Sequence, residues 1–332
     1  MNAITGTAQP LAEKATAEDV RACYRLILGR EPETEAVVER YARLGLTLAQ
    51  LRETFIRSKE FRARNRLPVL AMPLAPAPIP VESEATPPQL SAMLERTGDY
   101  WARIGGEAPH WSVLTQERFR PPHIEANHEE FYATGEGDRA LVRDLLARHG
   151  LAPAELPRLV EFGCGVGRAT LALAQDFAEV TGCDISPSHL ALARKMAARR
   201  GIRNVAWLQS SVRRPMTDGQ WDLWFSRIVL QHNPPPVIAW LLRSAFRGLA
   251  PGGVAVFQVP THSIGYRFGV DAYLARQGET AMEMHVLPQA AVFALAAEAG
   301  LRVLEVREDT HVVTSNPAAW LSNTFVLRRP PE

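Results

Sequence analysis

The stretch Leu159 to Arg168, LVEFGCGVGR, constrains this chain more than any other. It opens on apolar residues that read as a short buried strand ending at Glu161 and Phe162. Gly163, Gly165 and Gly167 follow at alternate positions, and an apolar helix begins at Ala169. A strand that turns through glycines into a helix leaves the main chain without Cβ cover and presents unpaired N–H groups, so a ligand can approach the backbone. Such a ligand belongs in the crevice at the carboxyl ends of parallel strands, where strand order reverses.

A second acid narrows the ligand. Glu179 to Cys183 reads as the next strand and Asp184 stands at its end. An acid about twenty residues after the turn suits the two hydroxyls of a ribose. A dinucleotide fingerprint would place its third glycine at position 168, where Arg168 stands. The pattern Glu-Phe-Gly-Cys-Gly-Val-Gly-Arg is instead similar to the first motif of class I methyltransferases that use S-adenosylmethionine. The resemblance implies that Glu161, Gly163, Gly165 and Gly167 lie along the methionine part of that cofactor. It implies that Asp184 holds the adenosine ribose, and it adds the flanking Arg168 and Ile185 to the cofactor-binding set.

Later turns carry the same resemblance. Ser210-Ser211-Val212 follows a strand at Val205–Gln209. The family places an adenine contact there, so Ser211 or Val212 is expected to make it, although the acid often found at that point is missing. Trp221 to Ser226 reads as the fourth strand, and Ser226 at its end joins the expected cofactor contacts. Its continuation to His232 resembles an S-x-x-V-L-x-H loop, and Leu249 to Gly253 matches an L-x-P-G-G turn. Helices are expected at 169–177 and 188–200, and the last two strands at Val303–Arg307 and Phe325–Arg328. The alternation argues an α/β fold. The expected architecture is a Rossmann-like class I methyltransferase sheet, mostly parallel with its last strand antiparallel, preceded by a small all-α domain.

Three segments are expected: a helical module at 1–66, a Pro-rich linker at 67–94 and the methyltransferase domain at 95–332. In the first, Thr16 and Asp19 have capping-box spacing and Val20, Cys23, Tyr24, Ile27 and Leu28 follow the helical period. Gly29 ends that helix, Pro32 can start the next, and Val37, Tyr41 and Leu44 form its apolar stripe. Thr47 starts a third. The string YRLILGREPE, with FIRSKEF later, resembles a small helical domain of unknown function distantly like phycobilisome linker repeats, with Glu33 in place of the usual Asp. It carries no chemistry and is a candidate surface for a protein partner. Seven prolines between Pro68 and Pro88 argue an extended tether. Residues 95–135 hold Tyr100, Trp101, Trp111, Phe119, Phe131 and Tyr132, which serve either as a lid over the cofactor or as core.

Lysine plus arginine is 37 and aspartate plus glutamate 36, a net charge of +1. No long-range field favours nucleic acid or an anionic membrane. No apolar run approaches the roughly 18–20 residues of a membrane span. The N-terminus lacks the pattern of a secretory signal, and the three cysteines have no metal or redox spacing, so a cytoplasmic protein is expected. No histidine pair has metal-ligand spacing, and no metal is expected. Asn233-Pro-Pro-Pro236 reads as a rigid helix start rather than a base-binding motif.

The expected reaction is methyl transfer to a hydroxyl or amine of a small molecule or glycan. His232, at the end of the fourth-strand loop, and His285, in the insertion after the fifth strand, are the candidate bases, with His285 slightly favoured. Two other readings stay open: a nicotinamide oxidoreductase, and a catalytically inactive methyltransferase-like scaffold.

Overall fold

Thr16 starts the first helix by a reciprocal pair of hydrogen bonds. Its backbone N–H donates to Asp19 Oδ2 at 2.8 Å, and the Asp19 N–H donates to Thr16 Oγ1 at 3.3 Å. That capping box opens a small unit with four helices among its described residues: α1 (Ala17–Leu26), α2 (Glu35–Ala42), α3 (Leu48–Ile56) and α4 (Lys59–Arg64). Thr47 and Gln50 repeat the box ahead of α3. Val20, Tyr24, Leu28, Val38, Leu51 and Phe55 form its core. Pro32 does not open α2, which begins three residues later behind Thr34. Leu44 falls past the end of α2 and is exposed.

The computed structural model describes residues 13–64, 78–211, 214–276, 282–309 and 319–331. The chain divides into two units, Met1–Leu70 and Ala71–Glu332. The first part of the expected tether, 67–77, lies outside the described residues. Its second part is a correction to the sequence reading, because residues 78–94 are built into the larger unit. Phe268 N–H donates to the Pro80 carbonyl at 3.0 Å, and Glu82 N–H donates to the Phe268 carbonyl at 3.1 Å. Pro87 and Pro88 occupy the first positions of a long helix, α5 (Pro87–Glu107), capped by Thr86. Proline suits that place because the first helical N–H groups have no intrahelical partner anyway. Met93 of α5 is fully buried.

Three further helices lead to the sheet: α6 (Pro109–Val113), α7 (Ile124–Ala133) and α8 (Gly135–Arg148). Phe119, Phe131 and Tyr132 are core, packed with Val166, Leu171 and Met196. Then follow β1 (Arg158–Phe162), α9 (Arg168–Leu173), β2 (Glu179–Asp184), α10 (Pro187–Arg199), β3 (Val205–Gln209), β4 (Trp221–Ser226), α11 (Pro235–Gly248), β5 (Leu249–Ser263), α12 (Val270–Leu274), α13 (Gln289–Glu298), β6 (Arg302–Asp309) and β7 (Trp320–Arg328). Helix α9 is shorter than the expected 169–177. Strand β5 runs through the proline–glycine turn expected to precede it.

The strands form one sheet in the order β3-β2-β1-β4-β5-β7-β6. The β1–β2, β2–β3, β1–β4 and β4–β5 pairs are parallel, while β7 is antiparallel to both β5 and β6. Alternate side chains of β5 enter opposite layers. Ala255, Phe257 and Val259 pack with Leu241, Leu242 and Phe246 of α11. Val254 and Val256 pack with Leu145 of α8 and Leu173 of α9. Helices therefore cover both faces, as a parallel sheet requires. Strand order reverses between β1 and β4, which fixes where a ligand can enter.

Candidate functional site

At the carboxyl ends of β1, β2 and β4 lies a cavity of about 500 Å³, within the range of small-molecule sites. Its walls come from the glycine turn, the ends of β1 and β2, the loops after β3 and β4, helices α5 and α11, and residues 112–116.

The glycine turn is tight on both sides. Gly163 has φ +74°, and a Cβ there would stand 2.3 Å from a methyl of Val229. Gly165 has φ +53°, and a Cβ there would stand 2.6 Å from a methyl of Val113 on α6. Backbone sign and space both demand glycine. Gly167 is the N-cap residue of α9 and is not on the cavity wall. Helix α9 has only six residues, so the bare turn, more than a helix dipole, is what the site offers.

Asp184 holds this turn in shape. Gly165 N–H donates to its Oδ2 at 2.7 Å, and Ser186 N–H donates to its Oδ1 at 2.8 Å. Each carboxylate oxygen keeps further acceptor capacity toward the cavity. Glu161 is also on the wall, and Thr170 Oγ1 donates to its Oε2 at 2.5 Å. Burial pushes the Glu161 carboxyl up to about 8, against 4.5 ordinarily, and the Thr170 hydrogen bond offsets only part of that.

The structure brings Glu161, Gly163, Gly165, Arg168, Asp184, Ile185, Ser211 and His232 to one cavity. Ser226 does not join them. Its side chain is buried and its hydroxyl donates to the Phe162 carbonyl at 3.0 Å, tying β4 to β1. Val212 lies outside the described residues. His285 is not on this wall and faces a separate pocket with Tyr266 and Glu283. Both of its nitrogens are engaged, Nδ1 at 2.9 Å from the Tyr266 hydroxyl and Nε2 at 3.0 Å from the Glu283 carboxylate. His232 stands on the main cavity wall with its ring edge-on to Trp101, centroids 5.3 Å apart. Its Nδ1 is 2.9 Å from the Glu283 carbonyl oxygen. A carbonyl only accepts, so Nδ1 carries the proton and Nε2 the lone pair. Surrounding protein pushes the imidazole down to about 4, so the ring is neutral at neutral pH.

Several wall residues escaped the sequence reading. His189 is buried, with Nδ1 3.5 Å from Asp184 Oδ1 and Nε2 2.9 Å from Ser112 Oγ. It links α6 to the acid that shapes the turn. Arg168 and Arg227 both pair with the buried Asp138, Arg168 at 2.5 Å. Ile228 next to it has φ +60°, a strained conformation for a β-branched residue. Its N–H donates to Gln258 Oε1 at 2.8 Å, and Gln258 Nε2 donates to Gln231 Oε1 at 3.1 Å. This buried amide fixes the loop after β4.

The chain is similar in sequence to known methyltransferases. A family described as "Methyltransferase domain" matches residues 159–253. Trans-aconitate 2-methyltransferase of Azoarcus sp. (strain BH72) is 37% identical over 120 residues, 36% of this chain and 44% of that protein. The first curated relatives are thus matched over only about two fifths of their length, with shares of 44%, 39% and 43%. The enzyme of the same name from Variovorax paradoxus (strain S110) is 31% identical over 211 residues, 57% of this chain and 76% of that protein. The chain belongs to the S-adenosylmethionine-dependent methyltransferases. Among solved structures, a magnesium protoporphyrin IX methyltransferase from Synechocystis PCC 6803 with bound SAH has 17% identity and a TM-score of 0.48, covering 70% of this chain and 97% of its own.

The residues present fit the methyltransferase cofactor. Two positive-φ glycines put bare backbone on the cavity wall, Asp184 retains acceptor capacity for a ribose, and Glu161 is a buried carboxyl with no cationic hydrogen-bond partner among the described residues. Among the described residues, no group of three or more His, Cys, Asp or Glu is arranged to hold a metal, and no helix is long and apolar enough to cross a membrane.

Proposed function

We propose that this chain transfers the methyl group of S-adenosylmethionine to an oxygen of a small molecule. The observation that carries the reading is the single cavity in which the glycine turn, Glu161 and Asp184 share a wall with His232. Bound S-adenosylmethionine would supply an electrophilic methyl group on a sulfonium. In this reading Asp184 accepts from the ribose hydroxyls and Glu161 faces the cationic amino-acid end. Ile185 and Ser211 flank the base, and Arg168 faces the carboxylate. His232 takes the proton of the acceptor hydroxyl on Nε2. A base of low basicity suffices, because an oxygen gaining a methyl group becomes strongly acidic as the bond forms. His285 instead props Glu283, whose carbonyl orients His232.

The named relatives carry trans-aconitate in their names, which raises a carboxylate acceptor as a second reading. Arg168 and Arg227 favour it, but both already share Asp138. The small helical unit leaves Leu26, Leu44 and Ile56 exposed, which supports a protein-facing surface there.

A thermal-shift series tests the cofactor assignment. S-adenosylmethionine or S-adenosylhomocysteine at 100 times its dissociation constant should stabilise the protein by about 2.7 kcal/mol. Stabilisation by NAD or NADP alone would favour the oxidoreductase reading. No shift with any of them would favour the scaffold.

A further inference from the structure

Away from the glycine turn, the cavity wall changes character. Leu94, Trp101, Trp240, Leu241, Met282 and Met284 line it. Two indoles and two thioethers make a soft, polarizable surface suited to the face of an aromatic ring. Polar side chains of the same wall are largely engaged within the protein: Thr97 Oγ1 donates to the Met93 carbonyl, Ser112 Oγ to the Pro109 carbonyl, Ser210 Oγ to the Pro215 carbonyl and Asn233 Nδ2 to the Val229 carbonyl. His232 presents Nε2 as an acceptor, with the Gln231 amide nitrogen 3.4 Å away.

The charges decide against other acceptors. Among the described residues, the wall carries Glu161, Asp184, Arg168 and Arg227. Both arginines are bound to Asp138, which is 1% exposed. Asp138 thus takes up both guanidinium groups of the wall, and no surplus positive charge awaits a tricarboxylate. A sugar would bring several hydroxyls to polar groups that already have partners in the protein, and each hydroxyl left unpaired on burial is costly.

We propose that the acceptor is a planar aromatic hydroxy compound, a phenol or catechol, held against Trp101 and Trp240 with its hydroxyl on Nε2 of His232. The proposal rests on the methyltransferase reading above. An oxygen lone pair forms the new C–O bond to the methyl carbon, and the electron pair of the broken S–C bond stays on sulfur. The phenolic proton passes to Nε2 and leaves from there to solvent.

Calorimetry on the full chain saturated with S-adenosylhomocysteine tests it, with 4-ethylphenol, trans-aconitate and methyl glucoside as probes. The expected result is that 4-ethylphenol binds at least about tenfold more tightly than either other probe. Trp101→Ala and Trp240→Ala should each weaken it about tenfold, the loss of one good aromatic contact. Trp101→Phe should restore most of the affinity. Trp111→Phe, off the cavity wall, should leave it unchanged. Unaltered S-adenosylhomocysteine affinity in the variants shows that they remain folded. Tighter binding of trans-aconitate or the glucoside, no binding of 4-ethylphenol, or wild-type affinity for it in both alanine variants overturns the acceptor class. If S-adenosylhomocysteine itself fails to bind, the methyltransferase reading falls first.

Discussion

Glu161→Gln isolates the charge state of one buried carboxyl. Burial holds Glu161 at about 8 in the folded protein, against 4.5 for an ordinary glutamate. Folded and unfolded chains therefore carry the same protonated group below about pH 4.5. Between 4.5 and 8 the unfolded chain ionises while the folded one does not. The unfolded state then binds fewer protons, so stability falls as pH rises through this window and levels off above 8. At about 1.4 kcal/mol per pH unit, the whole window amounts to about 5 kcal/mol, an upper figure because a buried site relaxes. Glutamine keeps a carbonyl oxygen for the Thr170 hydroxyl and cannot ionise. The assay is urea unfolding of ligand-free wild type and Glu161→Gln from pH 5 to 8.5. All other titrating groups are common to both proteins, so the difference between the curves belongs to position 161. The variant should gain on the wild type steadily with pH across the window. Parallel curves would refute the raised carboxyl. A cofactor ammonium would favour the ionised form, so wild-type affinity for S-adenosylhomocysteine should rise with pH up to about 8, a dependence the variant should lack.

Other outcomes are as concrete. Asp184→Ala should weaken S-adenosylhomocysteine binding by roughly 1–3 kcal/mol in calorimetry, because it removes the ribose acceptor and releases the Gly165 N–H. With an identified acceptor, His232→Ala should lower kcat by about 10²–10⁴-fold with cofactor affinity nearly unchanged. The wild-type rate should fall only as pH drops toward about 4, where the imidazole gains its proton. Relieving the positive φ with Ile228→Gly should raise the melting temperature, since such strain costs about 1–3 kcal/mol. A chain beginning at Pro78 should fold and bind S-adenosylhomocysteine. One beginning at Ser91 should melt several degrees lower, for it loses the start of α5, the strand-like pairing at Phe268 and the hydrogen bond from Gln89 to Asp271.

What the sequence reveals here is what local pattern determines. The glycine turn, Asp184 and the alternation of strands and helices are set by neighbours in the chain, and each was legible. The proline-rich stretch misled at its end because proline reads as a breaker, whereas Pro87 and Pro88 occupy the first turn of α5. Ser226 sits at the correct strand end but faces the Phe162 carbonyl, and strand ends alone do not say which side chain turns toward the cavity. Asp138 and Arg227 meet across 89 residues, and Gln258 reaches Ile228 across 30, so no local pattern marks them. His189 left a faint signal, a histidine in the first turn after a strand-end acid and a serine cap. The orientation of the insertion after β5 was not legible at all. It decides that Met282 and Met284 line the cavity while His285 turns away to Glu283 and Tyr266.

The central claim is that the cavity at the glycine turn binds the methyl donor. Isothermal titration of the full chain with S-adenosylhomocysteine, with NAD titrated in parallel, tests it most directly. One saturable site is expected for S-adenosylhomocysteine, lost in Gly165→Val, where even the first side-chain carbon would press on Val113, and no heat with NAD. Saturable binding of NAD without S-adenosylhomocysteine, or unchanged S-adenosylhomocysteine affinity in Gly165→Val, would contradict it.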